Sequence, residues 1–371
     1  MSVDQSLRKI LDTRVEKNTL RSLKVVKSDM VDFSSNDYLG LAKTNEIPTQ
    51  SLASGTGGSR LLNGNHSFHE ELEQYLAAFL HSQAFLLFNS GYVANIGLLS
   101  CVPQKGDVIL MDEYAHICIK EGARLSRAKY FNFRHNDLED LERKLKRLEA
   151  NHIFIVVESI YSMDGDACPL KDLIALAKRY KAEVIVDEAH STALYPNGIG
   201  YCVDQGLEKE VYARVYTFGK AVGAHGAGVA GSATLIAYLI NYSRSFIYTT
   251  SLPEHSIIAV KQAFEKIRSD SASAAWHGLL SKIKLFRTHI AKGISKLGGE
   301  HPIQGIVCNA PEKAKALAEY LQERQFDVRP IYSPTVPEGL ERVRICIHLY
   351  NSDKEILSLA SAINTFFQNH N

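Results

Sequence analysis

The sequence predicts an α/β protein with a mainly parallel central sheet, followed by a small C-terminal α+β domain. Three observations carry this. From about residue 84 to 233, short continuous apolar runs alternate with helical patterns, which is how strands covered on both faces read. The 371 residues are 45% hydrophobic, enough for one large core and a smaller one. After the large region the pattern changes to strand, helix, strand, strand, helix.

The elements follow in order. "AFLLF" (84–88) reads as a strand, with a helix from about 92. "DVILMD" (107–112) is a strand leading to the helix in "HICIKEGARLS". "KYFNF" (129–133) precedes the charged helix "DLEDLERKLKRLEA", and "HIFIVVES" (152–159) precedes "PLKDLIALAKRY". "AEVIVDEAH" (182–190), "VYARVYTF" (211–218) and "GVAGSAT" (228–234) complete the strands, the last continuing as strand before any helix. A long helical stretch covers 254–297. The small domain reads as strand "PIQGIVCN" (302–309), helix 311–325, strands "FDVRPI" (326–331) and "RVRICIH" (342–348), and helix 352–368. Two prolines and a glycine make "YSPTVPEGLE" (332–341) a turn-rich connection. The expected domains are 51–297 and 298–371, with residues 1–50 folding on the small domain or on a partner chain.

Composition excludes several classes. Lys+Arg number 42 and Asp+Glu 41, so no basic surface for nucleic acid and no acidic tail is expected. Six scattered cysteines without a C-x-x-C pair read as reduced thiols of a cytoplasmic protein, not as a disulfide framework or zinc site. The N-terminus lacks a signal-peptide apolar core, and Asp4, Asp12 and Glu16 argue against a transit peptide. No uncharged run approaches the ~20 residues that span a bilayer.

Ligands of parallel sheets bind beyond the carboxyl ends of the strands. Four predicted ends carry unusual polar residues: Ser90-Gly91-Tyr92, "ESIYSMDGD", Asp187 with His190, and Thr217 with Lys220. All four are expected to open onto one crevice. Singly, Asp187 reads equally as a helix cap, His190 as a structural histidine and Lys220 as an ion-pair partner. Together they supply a carboxylate, an imidazole and an amine, which are the needs of pyridoxal phosphate. Its aldehyde forms a Schiff base with a lysine, its ring nitrogen requires a carboxylate, and its phosphate suits the helix N-terminus in "NSGYVAN".

Other motifs fall away. Gly226, Gly228 and Gly231 fit G-x-G-x-x-G, but no helix starts inside the motif. "GTGGSRLLNGN" (55–65) lacks the G-K-[ST] ending of a phosphate loop and reads as a turn. His66 and His69 in "HSFH" have no third ligand nearby and read as helix-start residues, so no metal is expected. "GYVAN" is no serine-hydrolase elbow.

Seven ordered segments then carry a resemblance: "FSSNDYLGLA", "GTGGSRLLNGNHSFHEELE", "FNSGYVANIGLL", "SMDGDACPL", "VDEAHS", "TFGKAVGAHGA" and "IYTTSLP". Over nearly its whole length the chain resembles the α-oxoamine synthases, pyridoxal-phosphate enzymes of the aspartate aminotransferase type fold (fold type I). The resemblance implies that Lys220 bonds to the cofactor aldehyde and moves protons at the substrate α-carbon. It implies that Asp187 pairs with the ring nitrogen, that His190 hydrogen-bonds the ring oxygen and that His116 stacks on the ring. Gly91 and Tyr92 lie at the phosphate end, and Ser162 and Thr217 also contact the cofactor. Arg344 is the candidate for the amino-acid carboxylate, which a guanidinium grips through two hydrogen bonds. Asn36 joins it on the substrate side, and Arg21 and Thr335 meet the acyl substrate. The family's sites lie at a homodimer interface, so Thr249 and Thr250 serve the neighbour's phosphate.

The implied reaction is decarboxylative condensation of an amino acid with an acyl thioester. The resemblance of residues 329–348 implies L-alanine and a pimeloyl thioester, giving a biotin precursor. Glycine with acetyl-CoA, glycine with succinyl-CoA, serine with a long acyl-CoA, and a silent partner subunit are the alternatives. The acyl carrier, coenzyme A or acyl carrier protein, stays open. The chain departs from the family pattern at His225 and in the short segment "KVVKSDMVDF".

Overall fold

The structure, a computed structural model, describes residues 2–17, 19–21, 23, 25, 29–45, 52–268 and 271–370. Four residues of "KVVKSDMVDF" (24 and 26–28) lie outside the described residues. The chain divides into two compact units. One comprises Leu39–Ser162 with Ala167–Trp276; the other comprises Met1–Tyr38, Met163–Asp166 and His277–Asn371. The divisions fall at 38 and 276, where the sequence reading drew them near 50 and 297. The reason lies in the N-terminal strand: Val31–Asp32 pairs in parallel with Phe326–Asp327. Main-chain bonds from Cys346 N–H to the Phe33 carbonyl (2.8 Å) and from Leu349 N–H to the Tyr38 carbonyl (2.9 Å) extend that tie.

The larger unit is built on seven strands: β1 (Ala84–Phe88), β2 (Val108–Asp112), β3 (Lys129–Phe133), β4 (Ile153–Glu158), β5 (Glu183–Asp187), β6 (Ala213–Thr217) and β7 (Ala227–Gly231). Their spatial order is β1-β7-β6-β5-β4-β2-β3. Only β7 is antiparallel to its neighbours, so β1 to β6 all end on the same edge. Alternation along the strands splits the core in two. Ile109, Met111, Phe154, Val156 and Ile185 face one cluster, while Leu110, Ile155, Val157, Val184 and Val186 face the other. Both faces of the inner strands are covered, which explains why they read as unbroken apolar runs; the edge strand β3 is buried only at Phe133.

Two expected elements change. The strand at "GVAGSAT" stops at Gly231, because the Ser232 hydroxyl accepts the Leu235 N–H (3.1 Å) and caps the helix Ala233–Tyr242. The glycines at 226, 228 and 231 still lie in or beside a strand, so the dinucleotide reading stays excluded. The stretch 254–297 is two helices, Glu254–Ile267 and Ser271–His289, followed by a short strand.

The second unit holds an antiparallel sheet of β8 (Lys296–Leu297), β9 (Ile303–Val307), β10 (Arg329–Ile331) and β11 (Arg342–Cys346), ordered β10-β11-β9-β8. The single strand expected at "FDVRPI" is therefore two pieces in different sheets. All six cysteines are free, five of them buried. Among the described residues no helix is long and apolar enough to cross a membrane.

The loop between β6 and β7 presents Lys220. It is closed by bonds from Phe218 N–H to Gly226 (2.9 Å), Gly223 N–H to Lys220 (2.8 Å) and Ala224 N–H to Phe218 (2.9 Å). Gly223 has φ +65°, and a Cβ there would lie 2.1 Å from the Ala42 nitrogen. Both conformation and space forbid a side chain. Gly223→Ala should therefore cost about 2 kcal/mol or more in urea unfolding; a variant as stable as the parent would contradict this account of the loop.

Candidate active site

Three acids close three adjacent strands: Asp112 on β2, Glu158 on β4 and Asp187 on β5 are 0%, 2% and 5% exposed. Asp187 is held from two sides. Its Oδ1 accepts the Ala189 N–H (2.8 Å), and its Oδ2 accepts the Asn95 side-chain amide (2.7 Å). The Asp187 carbonyl takes the N–H of Ser159 (2.9 Å), which locks the ends of β4 and β5 together. His190 is buried three residues further on. The turn between them is braced by buried Glu188, which accepts the main-chain N–H groups of Tyr201 (2.8 Å) and Cys202 (2.7 Å).

His116 caps the helix Ile117–Leu125. Its Nδ1 accepts the Cys118 N–H (3.3 Å), so the neutral ring carries its proton on Nε2. Its own N–H donates to Glu158 (2.6 Å). More than a third of His116 meets solvent, yet desolvation of the ring still lowers its pKa. The charge of Asp187 works against that shift, and Lys220 and Lys120 reinforce it. His116, Asp187 and half-buried Lys220 are thus in electrostatic reach of one another, with the imidazole neutral at pH 7.

The helix Gly91–Cys101 follows β1 and starts on the same edge, capped by Ser90. A Cβ at Gly91 would lie 2.3 Å from Thr217 Cγ2, so this helix start is seated against the end of β6. Thr217 Oγ1 in turn donates to the Ala189 carbonyl (3.3 Å). The first N–H groups of a helix lack intrahelical acceptors, which makes this helix start, seated against Thr217, suited to an anion. Tyr92 is exposed, and its hydroxyl meets Glu121. Ser162 is half-buried in the turn after β4.

Asn89, just before this helix, donates its side-chain amide to the Thr250 carbonyl (2.8 Å) and to Thr249 Oγ1 (3.4 Å) of its own chain. Ser251 then joins two distant motifs: its N–H donates to Gly58 (3.0 Å) and its hydroxyl to Gly64 (2.7 Å). His66 and His69 are helix-start residues, His66 at the cap and His69 in the first turn.

The four remaining candidates lie in the other unit and form two pairs. Arg344, buried on β11, donates to Asn36 Oδ1 (2.9 Å). Burial lowers its pKa, but Cys346 and Tyr38 outweigh that and hold it charged. Arg21 donates to Thr335 Oγ1 (3.1 Å), and both line a cavity of about 590 Å³ together with Arg14, Lys315 and Arg329.

Sequence reasoning missed Asn95, Glu158 and the fully buried Arg342, which pairs with Asp164. Asn95 left a signal, since it is a lone amide on the buried side of an apolar helix. The donor set fits pyridoxal phosphate: a buried, doubly hydrogen-bonded carboxylate, a neutral imidazole, a primary amine and a helix N-terminus on one edge. Asn95→Ala removes one of the two donors of Asp187. It should weaken pyridoxal phosphate binding about 10-fold or more, as read by cofactor titration; unchanged affinity would show that Asp187 needs no such support.

The family model for aminotransferase class I and II matches residues 28–363. An 8-amino-7-oxononanoate synthase of Emericella nidulans is 38% identical, with 98% of this chain and 95% of the relative covered. An 8-amino-7-oxononanoate synthase 2 of Bacillus subtilis is 37% identical, covering 99% and 97%. Among solved structures, SPT with its PLP internal aldimine superposes with a TM-score of 0.90 at 27% identity, covering 98% and 97%. The chain therefore belongs to the class I and II aminotransferase family, and within it to the fold type I α-oxoamine synthases whose curated relatives are named 8-amino-7-oxononanoate synthase.

Proposed function

We propose that this chain is a pyridoxal-phosphate-dependent acyltransferase that condenses L-alanine with a pimeloyl thioester, releasing carbon dioxide and the thiol and giving 8-amino-7-oxononanoate for biotin synthesis. One observation carries the cofactor chemistry: the charges of Asp187 and Lys220 both act on His116 at a single sheet edge. The names of the relatives supply the product, from which the two substrates are inferred.

When bound, pyridoxal phosphate supplies the electron sink for bonds broken at the amino acid's α-carbon. The protein's share is orientation and proton handling. Asp187, fixed by Asn95 and Ala189, holds a proton on the ring nitrogen by its negative charge. Neutral His116 would present a flat face without competing charge, and His190 would hydrogen-bond the ring oxygen. Lys220 would hold the cofactor through its amine and would move the proton at the amino acid's α-carbon. The helix start at Gly91 and Tyr92, with Thr217 and Ser162, holds the phosphate end. Arg344, steadied by Asn36, binds the amino-acid carboxylate, and Arg21 with Thr335 binds the acyl chain.

The working form is a cytoplasmic homodimer whose Thr249 and Thr250 complete the neighbour's phosphate site. Leu62 and Tyr248, 83% and 80% exposed beside the two motifs joined by Ser251, support an interface there. The structural likeness to SPT favours a second reading, serine with a long acyl thioester.

Steady-state kinetics separate the readings. Alanine with pimeloyl-CoA should exceed glycine with acetyl-CoA and serine with palmitoyl-CoA by about 10-fold or more in kcat/KM. Glycine with pimeloyl-CoA should retain some turnover, since one methyl discriminates by only ~1–3 kcal/mol. A clear preference for either rival pair reassigns the substrate.

A further inference from the structure

The three acids on neighbouring strand ends are unequally solvated by the protein. Asp112 accepts the N–H groups of Tyr114 (2.8 Å) and Asn136 (2.9 Å) and lies 3.0 Å from His135 Nδ1. Asp187 has two donors, Ala189 and Asn95. Glu158 has one, the N–H of His116; its second oxygen accepts no hydrogen bond among the described residues. Glu158 also stands in direct register with Asp187 across the β4–β5 pair.

A carboxyl group so buried, beside two better-solvated acids, is the member of the row that keeps a proton. We propose that Glu158 is a positioning residue: it holds the proton of this row and, through the His116 main chain, fixes the imidazole at the Asp187–Lys220 edge. The inference rests on the reading of that edge as the cofactor site. A neutral Glu158 can anchor the His116 N–H without adding a second negative charge, and the charges His116 does respond to are Asp187, Lys220 and Lys120.

The groups facing Glu158 pull both ways, and those that favour the proton prevail. Burial raises its pKa most, and the charge of Asp187 adds to that. The His116 N–H and Lys220 oppose, Asp112 raises it further, and the result is about 8. Cys118, on the helix that His116 caps, is a thiol pushed up by burial and by Asp187, so it stays neutral and adds no competing charge. Because the folded pKa lies above the ordinary value of 4.5, the stability Glu158 contributes is complete below pH 4.5 and is lost as pH rises through 8.

The test compares full-length parent, Glu158→Gln and Glu158→Ala. Gln mimics a protonated glutamate but cannot ionise. In thermal unfolding from pH 5 to 9, the parent's Tm should fall steadily relative to that of Glu158→Gln. In turnover at pH 7, Glu158→Ala should lose about 10-fold or more in kcat with KM changed by less than about 3-fold, and Glu158→Gln should restore most of that loss. A pH-independent Tm difference, or a Gln variant as impaired as Ala, would overturn the proposal. If Glu158→Ala does not fold, the parent–Gln comparison decides alone. The Tm comparison needs neither cofactor nor substrate, so a protein inactive with every thioester sinks the proposed function while Glu158 is still judged.

Discussion

A carboxylate taken out of water costs several kcal/mol unless hydrogen bonds and opposite charge meet it, and the site is organised around meeting that cost at Asp187. Its two oxygens are met by the Ala189 N–H and the Asn95 amide. Asn95 is brought there by the helix that starts at Gly91, and that helix start is fitted against Thr217. Thr217 bonds back to the turn that follows Asp187. One buried charge therefore ties the ends of β1, β5 and β6 into a closed set of contacts, and the same charge keeps His116 and Lys220 in electrostatic register.

That arrangement depends on topology. β1 is far from β6 in sequence, yet antiparallel β7 between them turns their carboxyl ends to the same edge. The lysine lies in the very loop that leads into β7. Its small neighbours serve backbone proximity, as the approach of Gly223 to Ala42 shows. The glycine-rich run that frames Lys220 is thus a packing requirement of the loop, which holds that residue half-buried.

Much of this was legible in the sequence, for stated physical reasons. Strands buried on both faces have no polar alternation to blur them, so β1 agrees residue for residue with the reading; β3 does too, although only Phe133 of it is buried, and the others agree to within two or three residues. Boundaries failed where one side chain decides them: Ser232 as a cap ended a strand early. Pairing also failed where it depends on distant chain, as in the split of "FDVRPI" between two sheets. In the site, Asp187, His190 and Lys220 were visible because charged groups at the tips of apolar runs are conspicuous. Glu158 has the same signature at the end of "IFIVVE" but was passed over, since its partner is a main-chain N–H some forty residues upstream. Arg21 with Thr335 and Arg344 with Asn36 came from resemblance, and only coordinates show that each pair is hydrogen-bonded.

The central claim is that the amine at this edge is the one that joins the cofactor. Borohydride reduction of the pyridoxal-phosphate-loaded protein, followed by peptide mapping, tests it most directly. The account predicts one pyridoxyl label per chain, on the peptide containing Lys220. A label on any other lysine, or firm cofactor binding with no reducible linkage, would contradict it.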